Sequence, residues 1–435
     1  MNKITASAVK THYKNAFTQK KFIPGTTRVP VSGKVFDVEE LLAGVEAVLD
    51  GWWTEGRFAK AFEKEFREYL GVRYVSLVNS GSSANLIALS SLTSSVFGQR
   101  AIKPGDEVIT TATGFPTTVN PILQNGLVPV FIDNDLSTKN ATVKSIRKAI
   151  SKKTKVIMIA HTLGNPLPLD GIMKIVQQYN FWFIEDSCDA LGSTYDGKLA
   201  GTFGDIATYS FYPAHQLTMG EGGAAVTNNP WIHKAMRQFR DWGRDCWCDT
   251  GRDNTCGKRF GWKLGDLPIG YDHKYIYSQI GYNLKLTDVQ AAIGLAQMKK
   301  LPAFIAARKK NFALLRDGLD KYSKYLAFSE TEKKSDPCWF GFAIVVRDGA
   351  PFTKLEFVTF LEDRKIATRS LFAGNLLRHP AYANRKDIRV AEKLTNSDKI
   401  MSDGFWIGVY PGITDGMIRY MLKIFDEFFA TRVSV

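Results

Sequence analysis

The chain has 435 residues, 45% hydrophobic and 23% charged, which are globular proportions and leave ample length to bury the core of one large and one small domain. Lysine and arginine exceed aspartate and glutamate by 57 to 43, a net charge of +14. The excess is spread along the chain, which speaks against nucleic-acid binding and fits an anionic small substrate or an acidic partner. No run of eighteen apolar residues occurs, so no membrane span is expected, and the opening Met1-Asn2-Lys3-Ile4 stretch lacks the apolar core of a signal peptide, which points to the cytoplasm.

Residues 1–35 are basic and rich in turn formers, and read as an arm outside the core. Helical periodicity follows over 36–49 and 57–70, with Phe58, Phe62 and Phe66 on one face. The first strand, 74–78, runs into the small-residue turn Asn79-Ser-Gly-Ser-Ser-Ala-Asn85 and an apolar helix from 84 to 92. A strand, a glycine turn and a helix N-terminus make a phosphate cradle, in which Gly81 allows close backbone approach and Ser82 offers a hydroxyl.

Strands are predicted at 107–112, 128–133, 155–161, 181–186, 207–212 and 224–227, with helices around 143–151 and 170–179. This alternation implies an α/β fold, a mainly parallel sheet with helices on both faces, whose ligands sit beyond the carboxyl ends of the strands. The strand 181–186 ends in the buried pair Glu185-Asp186, and a buried acid is costly unless paired. A helical run over 288–323 leads to a smaller α+β unit, with strands at 338–346 and 366–372 and helices at 352–364 and 417–429. The expected division is therefore an arm (1–35), a large domain (36–300) with an insertion around 241–262, and a small domain (301–435).

Two features carry the chemistry. One is Tyr209-Ser-Phe-Tyr-Pro-Ala-His215, followed by Gly220-Glu-Gly-Gly223, a strand–turn–strand carrying a single histidine. On spacing alone His215 fits either a turn cap or an acid/base group near its unperturbed pKa of about 6.5. The other is the cysteine spacing: 57 residues lie between Cys188 and Cys246, one between Cys246 and Cys248, and seven between Cys248 and Cys256. Five cysteines in a cytosolic chain argue for metal or redox use over disulfides, and four thiolates on spacing alone leave zinc and an iron–sulfur cluster both open, zinc ahead.

The segment around His215 resembles the cofactor-lysine segment of the DegT/DnrJ/EryC1/StrS sugar aminotransferases, which use pyridoxal 5'-phosphate (PLP). Here histidine replaces the lysine, and imidazole forms no stable imine with an aldehyde cofactor. The resemblance covers the chain from about residue 30 and implies a fold-type I aminotransferase-like architecture. It assigns Gly81, Ser82 and Ser210 to the cofactor phosphate, Phe115 to the face of the pyridine ring and Asp186 to its protonated nitrogen. It also assigns Asn283 to the phosphate of a neighbouring subunit, hence a homodimer with shared active sites. Asp189 stands where the family commonly has glutamine and is counted with the cofactor-contacting residues.

Within that family, histidine for lysine together with C-x57-C-x-C-x7-C resembles the 3-dehydrases of CDP-4-keto-6-deoxy-D-glucose, which use pyridoxamine 5'-phosphate (PMP). The resemblance implies His215 as catalytic base, a [2Fe–2S] cluster on Cys188, Cys246, Cys248 and Cys256, and an NAD(P)H-dependent flavin/iron–sulfur reductase as partner. Arg244, Lys285 and Arg369 are candidates for the substrate diphosphate. Cys188 is two residues past Asp186, so their Cα atoms are at most about 7 Å apart and a cluster there would adjoin the cofactor. The alternatives are a cluster-free dehydratase coupled to transamination and a catalytically silent, zinc-bearing homologue.

Overall fold

The computed structural model describes residues 1–17 and 21–432. Its first helix, α1 (Lys3–Ala16), is capped by Asn2 and buries none of its residues, so the expected arm is helical yet stays outside the core. Tyr13 and Phe17 at its end pack on Phe36. Helix α2 (Val38–Leu49) begins at a capping box on Asp37, and α3 (Arg57–Leu70) buries the Phe58/Phe62/Phe66 stripe before stopping at Gly71, whose φ of 68° suits glycine.

The large sheet begins with β1 (Tyr74–Val78), β2 (Glu107–Thr111), β3 (Val128–Ile132), β4 (Thr154–Ala160) and β5 (Trp182–Asp186). A small hairpin, β6 (Thr194–Tyr195) and β7 (Lys198–Leu199), precedes β8 (Ile206–Ser210) and β9 (Gly223–Thr227). Later strands are β10 (Leu326–Phe328), β11 (Ser335–Asp336), β12 (Gly341–Val346), β13 (Arg369–Ser370), β14 (Arg389–Val390) and β15 (Gly404–Gly408).

The order across the large sheet is β1-β9-β8-β5-β4-β2-β3-β14. Strand β9 runs antiparallel to β1 and β8, and every other pairing is parallel. The carboxyl ends of β1, β2, β4, β5 and β8 therefore share one edge, where the loops expected to carry the site emerge. Helices α4 (Gly81–Ser91), α5 (Pro116–Gln124), α6 (Val143–Ala149), α7 (Leu169–Tyr179) and α8 (Pro230–Arg240) connect or cover these strands.

The predicted helix over 288–323 is two helices, α9 (Asp288–Met298) and α10 (Leu301–Leu319). Pro302 lacks the N–H that would continue α9 and is placed instead in the first turn of α10. The C-terminal part packs α10, α11 (Lys354–Asp363) and α13 (Asp415–Arg432) on the four-stranded sheet β10-β12-β15-β13. The strand expected at 366–372 shrinks to Arg369–Ser370, because Ile366 pairs with Val29 of the N-terminal segment. Helix α12 (Thr395–Asp403) and β14 were not foreseen, and β14 joins the large sheet at β3. Among the described residues no helix is long and apolar enough to cross a membrane.

Candidate active site

A cleft of about 420 Å³ opens beyond the carboxyl ends of the large sheet and is closed from the other side by Phe340, Arg369, Phe372 and Trp406. That volume lies in the range of small-molecule sites. Gly81, Ser82, Phe115, Asp186, Cys188, Asp189, Ser210, His215 and Arg369 all line it. Nine residues expected at the site thus come together from distant parts of the sequence.

The cradle forms because Ser80 caps α4, its hydroxyl accepting the Ser83 N–H at 3.1 Å, so the chain turns directly from β1 into a helix N-terminus facing the cleft. Gly81 is required there: an added Cβ would lie 2.5 Å from Ser210 Cβ and 3.1 Å from Cys188 Sγ. Phe115, just before α5, is 54% exposed and offers a ring to the cleft.

Asp186 ends β5 and is buried. Its Oδ2 accepts Asn85 Nδ2 at 2.8 Å and Thr118 Oγ1 at 2.7 Å, and Oδ1 accepts the Cys188 N–H at 3.2 Å. Asn85 is itself oriented by Thr208, whose hydroxyl donates to Asn85 Oδ1 at 2.6 Å. These donors aim a fixed carboxylate into the cleft, and sequence reasoning missed Asn85 and Thr118.

His215 sits in the turn after β8. Its buried Nδ1 makes no hydrogen bond and lies 3.5 Å from Asp189 Oδ1, while its ring packs against Phe340 at 5.1 Å. Burial, reinforced by the nearby Arg308 charge, pushes the imidazole down to about 3. Burial and the Asp186 charge push the Asp189 carboxyl up to about 8. At neutral pH the pair is therefore an uncharged imidazole beside a largely protonated carboxyl.

The turn is held by Arg308, a fully buried side chain of α10. Its guanidinium donates to the carbonyls of Ala214 (3.0 Å), His215 (2.8 Å), Trp339 (3.3 Å) and Phe340 (3.2 Å). Gln216 adds a hydrogen bond to the Asp189 carbonyl. An arginine on the apolar face that carries Phe304, Phe312 and Leu315 was the signal in the sequence.

The remaining expected residues lie elsewhere. Cys246, Cys248 and Cys256 line a separate small cavity with Asp253, Asn254, Arg259, His273 and Lys274. Burial raises the Cys248 thiol, but hydrogen bonding from Thr255, Cys246 and the Cys256 backbone outweighs it and brings it down to about 7. Among the described residues no group of three or more His, Cys, Asp and Glu side chains converges as a metal site. The expectation of four thiols gathered beside Asp186 is corrected accordingly: Cys188 is there, and the other three are not.

Arg244 and Lys285 flank the Trp242 ring, at 4.9 Å and 3.6 Å from its centroid, and Lys285 Nζ donates to Asn283 Oδ1 at 2.7 Å. None of these three expected residues lines the cleft of its own chain. Cys338, left without a partner by the sequence, is buried, its N–H donating to Ser193.

This sheet and cleft are those of a fold-type I aminotransferase-like protein. The model of the DegT/DnrJ/EryC1/StrS aminotransferase family matches residues 36–426, and the chain belongs to that family. It is similar to the lipopolysaccharide biosynthesis protein RfbH of Salmonella typhimurium, 56% identical over 414 residues covering 95% of this chain and 94% of the relative. It is also similar to a dTDP-4-dehydro-2,6-dideoxy-D-glucose 3-dehydratase of Saccharopolyspora spinosa, 52% identical over 94% of this chain and 88% of the relative. Among solved structures, an E. coli GDP-4-keto-6-deoxy-D-mannose-3-dehydratase with bound hydrated PLP superposes with a TM-score of 0.82 at 28% identity, covering 92% of this chain and 99% of that one.

Proposed function

We propose that this chain is a PMP/PLP-dependent 3-dehydratase of a nucleotide-linked 4-keto-6-deoxyhexose, with CDP-4-keto-6-deoxy-D-glucose as substrate, acting in 3,6-dideoxysugar and O-antigen biosynthesis. The observation that carries this is His215: where the resemblance places the family's cofactor lysine, a mostly buried imidazole, its pKa lowered by burial, lines a cleft together with Gly81, Ser82, Phe115, Asp186 and Ser210. The 3-dehydratases among its relatives support the reaction class.

The cleft fits the cofactor. A carboxylate held by Asn85 and Thr118 and a helix N-terminus that a single Cβ at Gly81 would obstruct are polar features waiting for a partner. When bound, the cofactor supplies an amine for the C4 ketone and a ring that accepts electrons.

Gly81, Ser82 and Ser210 would hold the phosphate at the N-terminus of α4, Asp186 would pair with the ring nitrogen, and Phe115 would lie against the ring face. His215, with Nδ1 turned to Asp189, presents Nε2 to take a proton from the 4' carbon and return it to the departing C3 hydroxyl. Arg308 fixes the backbone of that turn, and Arg369 offers a guanidinium for the diphosphate.

The reading extends to a homodimer and to reduction by a flavin/iron–sulfur reductase through a [2Fe–2S] cluster. The four thiols of one chain do not fit a single cluster, so no step above depends on it. The same separation favours a second reading, cluster-free dehydration followed by transamination. Incubation of the iron- and sulfide-reconstituted protein with CDP-4-keto-6-deoxyglucose and PMP, with and without a reducing system, separates the two. A 3-deoxy product that requires reductant supports the first reading, and turnover that requires glutamate instead supports the second.

A further inference from the structure

A second cavity, of about 770 Å³, opens at the amino end of β1 and shares no residue with the cleft. Its walls come from α3, the start of β1, α8 and residues 249–252, and its volume is again that of a small-molecule site. Eight arginine and lysine side chains line it, against the three carboxylates of Glu55, Glu63 and Asp249. Two of those acids are already engaged. Buried Arg240 holds both oxygens of Glu55, at 2.7 and 2.9 Å, and Lys60 holds Asp249 at 2.8 Å. Arg57 is paired with Glu46 and Asp50, which lie outside the cavity.

Lys64, Arg67, Arg73, Arg237 and Arg252 remain, and they make no ion pair among the described residues. The third acid does little to balance them: burial and the charge of Glu55 push the Glu63 carboxyl up to about 7, so near neutrality it is only partly ionised. The inner wall feels the excess. His233, stacked on Tyr74 at 4.8 Å, is pushed down to about 3 by burial and by the charges of Arg237 and Arg240. Cations scattered on a convex surface are simply hydrated, but these five reach one concavity from α3, the loop before β1, α8 and the segment around 252. Their mutual repulsion is relieved when an anion enters. Four of the five are arginines, whose planar donor fork matches the oxygens of a phosphate.

We propose that this cavity is a second anion site, which binds a pair of adjacent phosphate groups, free as pyrophosphate or carried by a nucleoside polyphosphate. It stands apart from the reading of the cleft and does not depend on it. Residues 249–252 are tied to the other walls by the Lys60–Asp249 pair and by Thr250, whose hydroxyl donates to Glu55 at 3.5 Å. An anion shared by Arg252, Arg67 and Arg237 fastens that segment to α3 and α8 more firmly.

Equilibrium dialysis of the full chain against radiolabelled pyrophosphate, and separately against CTP, tests it, with PLP present throughout so that its phosphate occupies the cleft. Saturable binding to the wild type is expected. Lys64→Glu/Arg67→Glu, two exposed positions on α3, should weaken it by at least about 10²-fold, and Arg237→Met by about 10-fold. Arg419→Glu/Lys423→Glu makes the same charge change on the exposed side of α13, outside the cavity, and should leave binding unchanged. Equal affinity for the two probes means that the phosphates alone are read, and tighter CTP binding means that the nucleoside adds contacts; either supports the site. No saturable binding of either probe, binding that survives Lys64→Glu/Arg67→Glu, or equal weakening by the α13 variant overturns it. Circular dichroism checks the fold of each variant, and dehydration by the wild type remains a separate test of the function.

Discussion

Asp189→Asn removes a carboxyl that burial holds up to about 8, against an ordinary value of 3.8. A raised folded-state pKa means that Asp189 contributes stability fully below pH 3.8, and that this contribution is lost as the pH rises toward 8, because the native state holds a proton the unfolded chain has released. From pH 5 to pH 8, at about 1.4 kcal/mol per unit, the loss is about 4 kcal/mol. The lowered pKa of His215 acts in the opposite sense, with stability rising from about pH 3 to 6.5, and is common to both proteins. For 435 residues, about 1 kcal/mol corresponds to about 1 °C in Tm. Scanning calorimetry of the cofactor-free proteins should find the variant gaining about 4 °C on wild type between pH 5 and pH 8. A Tm difference that stays constant across this range would refute the buried, protonated carboxyl.

Gly81→Ala forces a Cβ to within 2.5 Å of Ser210, so a stability loss of about 1–3 kcal/mol and weakened PLP binding in an absorbance titration are expected. His215→Lys should attach PLP covalently, seen as a mass shift after borohydride reduction, and lower dehydration by about 10²–10⁴-fold; unchanged dehydration would contradict the role of the imidazole. Arg308→Met leaves four carbonyls without their donor, so a loss of about 3–5 kcal/mol and a fall in kcat exceeding any change in KM are expected.

Seven of the eight strands of the large sheet were legible because each is a short apolar run bounded by turn formers, and their carboxyl ends fixed where Asp186 and His215 had to lie; the two-residue β14, Arg389–Val390, carries no such run. Helix α5 was not, since Pro116 and Pro121 argue locally against a helix; Pro116 falls in its first turn, and tertiary packing outweighs the cost of Pro121. Thr118 went unseen with it. Arg308 was hidden in an apolar stripe, where its four carbonyl partners come from loops distant in sequence. The cysteine spacing put four thiols into one set, whereas Cys246, Cys248 and Cys256 line one small cavity and Cys188 lines the cleft, because spacing says nothing of which cavity a residue serves. Cys188 and Cys246 therefore read as neighbours although the fold separates them.

The most direct test of the proposed function is a single turnover with CDP-4-keto-6-deoxyglucose in [18O]water, following isotope at C3 by mass spectrometry. Reversible loss of the C3 hydroxyl should incorporate label in wild type with PMP present and fall by about 10²–10⁴-fold in His215→Asn. Amine transfer to C4 without exchange at C3, or exchange that is independent of PMP and of His215, would contradict it.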